Sequence, residues 1–151
     1  MIEPEKLANI CKEAATVGGI AISDFRPTNV EIKPDAYVGD HAIVTAADYM
    51  SQEAVLKILT KRDPEARFIT EENVNDEGFR KKIIDATMLD IMSKSRTYII
   101  DELDGSSSFN AGHYEWSVSV GCVENLQQVA GAGFAPKIEN GLLFIAAKNT
   151  G

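Results

Sequence analysis

The sequence predicts an α+β fold, with helices segregated against a mostly antiparallel sheet. Three observations predict it. Two long stretches before Pro64 carry apolar residues at helical spacing. Short apolar runs of strand length end in acidic residues at Arg67 to Thr70 and Tyr98 to Asp101. A strand-rich tail follows from Ser117 onward. No internal repeat, low-complexity tract or linker divides the chain, so residues 1–151 read as one domain.

Each element has a local reason. Pro4 suits the first turn of a helix, where a missing N–H costs nothing. Leu7, Ile10, Cys11, Ala14, Val17 and Ala21 form its apolar stripe, and Arg26-Pro27 ends it. Val30 to Lys33 and Ala42 to Thr45 read as short strands around a mobile Pro34 to Asp40 loop. A second helix follows Asp48, turns Ala54, Val55, Ile58 and Leu59 inward, and stops before Pro64. Between the strands at Arg67 and Tyr98, a helix is expected with Phe79, Ile83, Ile84, Leu89 and Met92 as anchors. Ser117 to Val123, Val129 to Phe134 and Leu142 to Ala147 complete the strands.

Composition narrows the function. A formal charge of −8 argues against a general surface for nucleic acid or anionic membrane. It does not exclude a phosphorylated ligand, because a bound cation reverses the local sign. No apolar run is long enough to cross a membrane. Cys11 and Cys122 are the two cysteines and read as small core residues in a reduced, cytoplasmic protein. His41 and His113 are too far apart in the chain to argue for a metal site.

The most informative stretch is Tyr98-Ile-Ile-Asp-Glu-Leu-Asp-Gly-Ser-Ser-Ser-Phe109. A strand that ends in carboxylates and turns through Gly-Ser offers hard oxygen ligands of the kind Mg²⁺ takes. Asp101 and Asp104 stand at odd spacing, so a straight strand would point them to opposite faces. They converge only if the backbone bends between them, and that bend would bring the Leu103 carbonyl inward. The simpler reading is a strand, an Asp-Gly turn and a serine-capped helix. A second strand-to-acid junction is Arg67-Phe-Ile-Thr-Glu-Glu72, and a third segment is Ile43-Val-Thr-Ala-Ala-Asp48. Thr45 and Asp48 also have the spacing of a helix cap with an acid in the first turn.

In this order, the three segments resemble the inositol monophosphatase family, within the Mg²⁺-dependent, lithium-sensitive phosphatases that include fructose-1,6-bisphosphatases. The family's Gly-Glu-Glu reads Thr70-Glu71-Glu72 here. Its Asp-Pro-Ile/Leu-Asp-Gly-Thr-x-Asn-Phe reads Asp101-Glu102-Leu103-Asp104-Gly105-Ser106-Ser107-Ser108-Phe109. Val44-Thr45-Ala46-Ala47-Asp48 matches Val-Thr-x-x-Asp, and Trp116 to Gly121 looks like the strand that follows. The resemblance implies metal ligands at Glu71, Asp101, the Leu103 carbonyl and Asp104. It implies that Glu71 and Ser106 position the attacking water, and that Gly105 and Ser106 offer N–H groups to the phosphate. Asp48 and Glu72 would support a third, weaker metal site.

The chain also departs from the pattern. Thr70 replaces Gly, Glu102 replaces Pro, and Ser108 replaces Asn. The segment between Glu72 and Asp101 is longer than in simple inositol monophosphatases. The family's later Trp-Asp-x-Ala-Ala-Gly segment has no counterpart, so the chain is expected to be an N-terminal metal-binding domain without its C-terminal domain. The implied activity is Mg²⁺-dependent hydrolysis of a small phosphate monoester, an inositol or sugar phosphate, impaired in this chain. The competing reading is a noncatalytic metal-binding or assembly domain. Expected partners are a small phosphorylated substrate and either a second copy or the absent domain, with no nucleic acid polymer and no membrane.

Overall fold

The computed structural model describes residues 2–25, 31–32, 43–44, 46–74, 76–85 and 87–149. Helix α1 spans Pro4–Ile22; short strands β1 (Glu31–Ile32) and β2 (Ile43–Val44) pair antiparallel. Then come α2 (Ala46–Arg62), β3 (Arg67–Thr70), α3 (Glu77–Arg80), α4 (Leu89–Met92), β4 (Thr97–Asp104) and α5 (Ser106–Asn110). Strands β5 (Ser117–Glu124), β6 (Gln127–Ala135) and β7 (Leu142–Ala147) end the described chain. The main sheet has the order β3-β4-β5-β6-β7. Only β3 and β4 run parallel; the other pairs are antiparallel. This is the predicted α+β class. The Pro34 to Asp40 loop and Thr45 lie outside the described residues.

Helices α1 and α2 pack on each other and on one face of the sheet. Pro4 does stand in the first turn of α1. Leu7, Cys11 and Ala14 of α1 meet Val55 and Leu59 of α2 over a layer of sheet residues. The two-residue period of a strand sends Tyr98, Ile100, Val118, Val120 and Cys122 into that layer. The alternate residues Ile99, Asp101, Ser119 and Gly121 therefore point to the opposite face. Gly18 is where the two helices come close. A Cβ there would lie 2.6 Å from a Val55 methyl and 3.0 Å from Ser51 Oγ.

The segment after Glu72 departs from the single expected helix. It forms two one-turn helices, α3 and α4, and Ile83 forms a parallel bridge with Phe68 of β3. The Phe68 N–H donates to the Lys82 carbonyl at 2.9 Å, and Ile84 N–H donates to the Phe68 carbonyl at 2.9 Å. The chain thus satisfies the outer edge of β3 with two hydrogen bonds that a helix through Ile83 could not make. Asp76 caps α3 by accepting from Gly78 and Phe79 N–H groups.

At the far end of β4, Arg96 pairs with buried Asp63 and with Glu124, and the Tyr98 hydroxyl donates to Asp63 at 3.1 Å. These bonds tie the end of α2 to β4 and β5. Burial pushes the Tyr98 hydroxyl and both thiols well above their ordinary pKa, Cys11 to about 12. Both cysteines are free and buried, as their small size and apolar settings suggest.

The close approach at Gly18 sets a test. Gly18→Ala gains about 1 kcal/mol of helix propensity. It must also displace fully buried neighbours, which costs about 1–3 kcal/mol in a packed core. Net destabilisation is expected in chemical denaturation. A rise in stability would show that α1 and α2 are not in close contact there.

Candidate metal centre and active site

Two features of strand pairing build the site. The first is parallel register: Thr70 of β3 pairs with Ile100 of β4. The next residues, Glu71 and Asp101, therefore leave neighbouring strands at the same level. The second is a bulge. Asp101 pairs with Ser119 and Asp104 pairs with Ser117, so three steps on β4 match two on β5. The extra residue cancels the strand's alternation. Ser117 and Ser119 share a face, and so, through their pairing, do Asp101 and Asp104. The bend that the odd spacing demanded is this bulge.

The result is an acidic cluster. Carboxylate oxygens of Glu71, Asp101 and Glu102 all lie within 4.8 Å of one another. Glu71 is exposed, Asp101 half-buried and Glu102 buried. Close acidic oxygens repel unless a cation sits among them, and three carboxylates are a hard-oxygen donor set. The donor set thus fits a divalent cation such as Mg²⁺. Asp104 is exposed and stands outside this 4.8 Å group, on the same sheet face. It lines a separate cavity of about 460 Å³ with Gly105, Trp116 and Phe144.

Glu102 is the residue whose part sequence reasoning missed. In the sequence it stands out only as a replacement for Pro. It is 1% exposed, and its carboxylate accepts a hydrogen bond from Gln52 Nε2 at 2.9 Å. The same Gln52 amide donates to the Glu72 carbonyl at 2.8 Å. One α2 side chain therefore ties the turn after β3 to β4. Desolvation pushes the Glu102 carboxyl up to about 7, while hydrogen bonds from Gln52 and from the backbone at Glu102 and Glu71 partly oppose it. A cation in the cluster would favour the ionised form instead.

The remaining predicted residues surround this core. Asp48 and Glu72 are both buried, at the start of α2 and just after β3. The Thr70 hydroxyl donates to the Glu72 carbonyl at 3.0 Å, so the Thr in place of Gly helps close the turn. Leu103 sits in a second apolar cluster with Phe109 and Trp116, whose rings meet edge to face at 5.1 Å. The Leu103 carbonyl accepts from Ser106 Oγ at 2.9 Å. Gly105 has φ +87°, and a Cβ there would come within 2.7 Å of the Glu115 carbonyl. Helix α5 starts at Ser106, as expected from the Gly-Ser step.

A bulged strand bearing clustered acids is followed by a glycine turn and a serine-led helix, and its carboxylates are an oxygen donor set that could hold a cation. The chain belongs to the inositol monophosphatase family, whose family model matches residues 3–151. Solved structures share the fold. The extragenic suppressor protein SuhB of Bartonella henselae aligns with TM-score 0.71 and 23% identity, over 95% of this chain and 48% of that one. An IMPase of Thermotoga maritima aligns with TM-score 0.67 and 23% identity, over 97% and 48%. CysQ of Bacteroides thetaiotaomicron, a bacterial member of the same family, aligns with TM-score 0.62 and 25% identity, over 96% and 47%. The chain thus spans about half the length of the solved structures it matches. A comparison with curated proteins finds no match. Among the described residues, no helix is long and apolar enough to cross a membrane.

Two outcomes follow from this geometry. In metal-free protein, Glu102 binds its proton more tightly folded than unfolded, so stability should fall as pH rises from about 4.5 through about 7. The full loss is about 3 kcal/mol by the linkage of one pKa unit to about 1.4 kcal/mol. Denaturation across that range in chelator should show the slope, and Glu102→Gln should flatten it. Equal slopes for both proteins would remove Glu102 as the cause. Gly105→Ala should cost about 1–3 kcal/mol from the left-handed backbone alone, before the clash at Glu115 is counted. A melting temperature unchanged from wild type would contradict the turn geometry.

Proposed function

We propose that this chain carries the metal-binding half of a Mg²⁺-dependent phosphatase centre acting on a small phosphate monoester, an inositol or sugar phosphate. The observation that carries the reading is the meeting of Glu71, Asp101 and Glu102 carboxylates within 4.8 Å at the bulge of β4. Glu71 and Asp101 would hold the cation, with Glu102 behind them. Asp104 and the Leu103 carbonyl would extend the ligand set from the same strand. Bound there, Mg²⁺ supplies Lewis-acid charge that offsets the phosphate's own and makes water a better nucleophile.

The protein's share of the chemistry is positioning. Glu71 is the exposed acid of the cluster and would accept a proton from an approaching water. Ser106 Oγ, which donates to the Leu103 carbonyl, has lone pairs left to orient that water. Gly105 lets the backbone come close to a phosphate without a side chain in the way. Buried Asp48 and Glu72 add negative charge that favours a further, weaker cation. Two buried free thiols support a reducing, cytoplasmic setting.

The test is phosphate release from inositol and sugar phosphates with Mg²⁺ and with chelator, alongside calorimetry of Mg²⁺ binding. Mg²⁺-dependent release, with binding weakened at least about tenfold in Asp101→Asn, is the expected result. Mg²⁺ binding without release from any ester would favour the noncatalytic domain. Unchanged Mg²⁺ affinity in Asp101→Asn would contradict the role given to that residue.

A further inference from the structure

We propose that Gln52 is a positioning residue of the cation site: it sets how tightly the site holds a divalent cation without touching the cation, by fixing the backbone that carries Glu71. The proposal rests on the reading of Glu71 and Asp101 as cation ligands given above. Gln52 stands one turn after Asp48 on α2 and is 4% exposed. Its side-chain nitrogen carries two hydrogens, and both are used. One goes to the Glu72 carbonyl at 2.8 Å, the other to Glu102 Oε1 at 2.9 Å. Turning the amide over would set its oxygen against two acceptors and lose both bonds, so its orientation follows from its partners.

The two partners grip one short turn from both ends. Glu102 also accepts from the Glu71 backbone N–H. The Glu72 carbonyl also accepts from the Thr70 hydroxyl at 3.0 Å, which engages both of its lone pairs. The N–H before the Glu71 side chain and the carbonyl after Glu72 are thus held, and Gln52 joins the two holds. The Glu71 side chain itself is exposed, so its place among the acids is set by its backbone rather than by packing. Thr70 and Glu102 stand where the family pattern has Gly and Pro, and the two departures serve one hydrogen-bonded unit. The bond from Gln52 to Glu102 is buried and runs to an acid, so its loss is costly. Without the Gln52 amide, the buried Glu102 carboxylate and the Glu72 carbonyl would each be short of a donor, and the turn would shift toward water to find one. Such a shift moves Glu71 relative to Asp101, whose carboxylate oxygens now lie within 4.8 Å of each other.

Gln52→Met keeps the length and neutrality of the side chain and removes its donors, so a change in cation affinity cannot come from lost charge. The measurement is calorimetry of Mg²⁺ and Mn²⁺ binding to the full chain, below its melting transition, with the Glu71 amide resonance followed in metal-free protein. Gln52→Met should weaken both cations about tenfold, the scale on which residues that orient metal ligands act. The Glu71 amide resonance should move, because the acid that accepts from it has lost its brace. In a Glu71→Ala background, Gln52→Met should cost less than about twofold, since the side chain it positions is gone. A residue that serves only the core would lower the melting temperature and leave both cation affinity and the Glu71 resonance unchanged; that result would overturn the proposal. An equal tenfold loss in both backgrounds would overturn it too. If Glu71→Ala binds neither cation, the Glu71 resonance of Gln52→Met decides, and an unmoved resonance counts against the proposal. Cation affinity unchanged in Glu71→Ala and in Asp101→Asn would instead overturn the cation-site reading, and this proposal with it.

Discussion

The site depends on one departure from regular pairing, the extra residue between Asp101 and Asp104 on β4. A regular strand would put Asp104 on the helix-covered face, where an ionised carboxylate has no solvent and costs several kcal/mol. The bulge moves that acid to the open face instead and turns Leu103 into an apolar cluster with Phe109 and Trp116. Gly105 must follow at once, because the chain returns through a left-handed conformation pressed against the Glu115 carbonyl. Helix α5 then starts at Ser106 and anchors back on the Leu103 carbonyl. Strand end, turn and helix start are one unit, and none of its parts is free to change alone.

The second constraint is electrostatic. The protein gathers acids that repel one another and buries one of them, Glu102. Such a group persists only when its hydrogen bonds are made. Gln52 supplies one to Glu102 and another to the Glu72 carbonyl, so α2 braces both strand ends that carry the acids. The rest of the core compensates on the opposite side of the sheet, where α1 and α2 pack against apolar strand residues. Glu102 is the acid of the cluster that reaches into the packed side, where the Gln52 amide meets it.

Much of this was legible in the sequence, for local reasons. Helix periodicity located α1 and α2, and strand-to-acid junctions located β3 and β4. The odd spacing of Asp101 and Asp104 demanded a bend, and the structure supplies it as a bulge. What escaped was non-local. Ile83 looks like a helix anchor because its four-residue spacing from Phe79 fits one; its actual partner is Phe68, on a strand earlier in the chain. Glu102 looked like a mere loss of Pro because its burial comes from an α2 amide far away in sequence. The only local signal for it was its place in the strand's alternation, two residues after Ile100 and four after Tyr98 on the core-facing side.

The central claim is that the β4 bulge and the end of β3 form one cation site. The direct measurement is paramagnetic broadening of backbone amide resonances as Mn²⁺ is added in small amounts to the whole chain. The amides of Glu71, Asp101 and Glu102 should broaden first and together, and excess Mg²⁺ should restore them. Broadening that begins instead at acids elsewhere on the surface, such as Asp24, Asp90 or Glu139, with the β4 amides unaffected, would contradict the account.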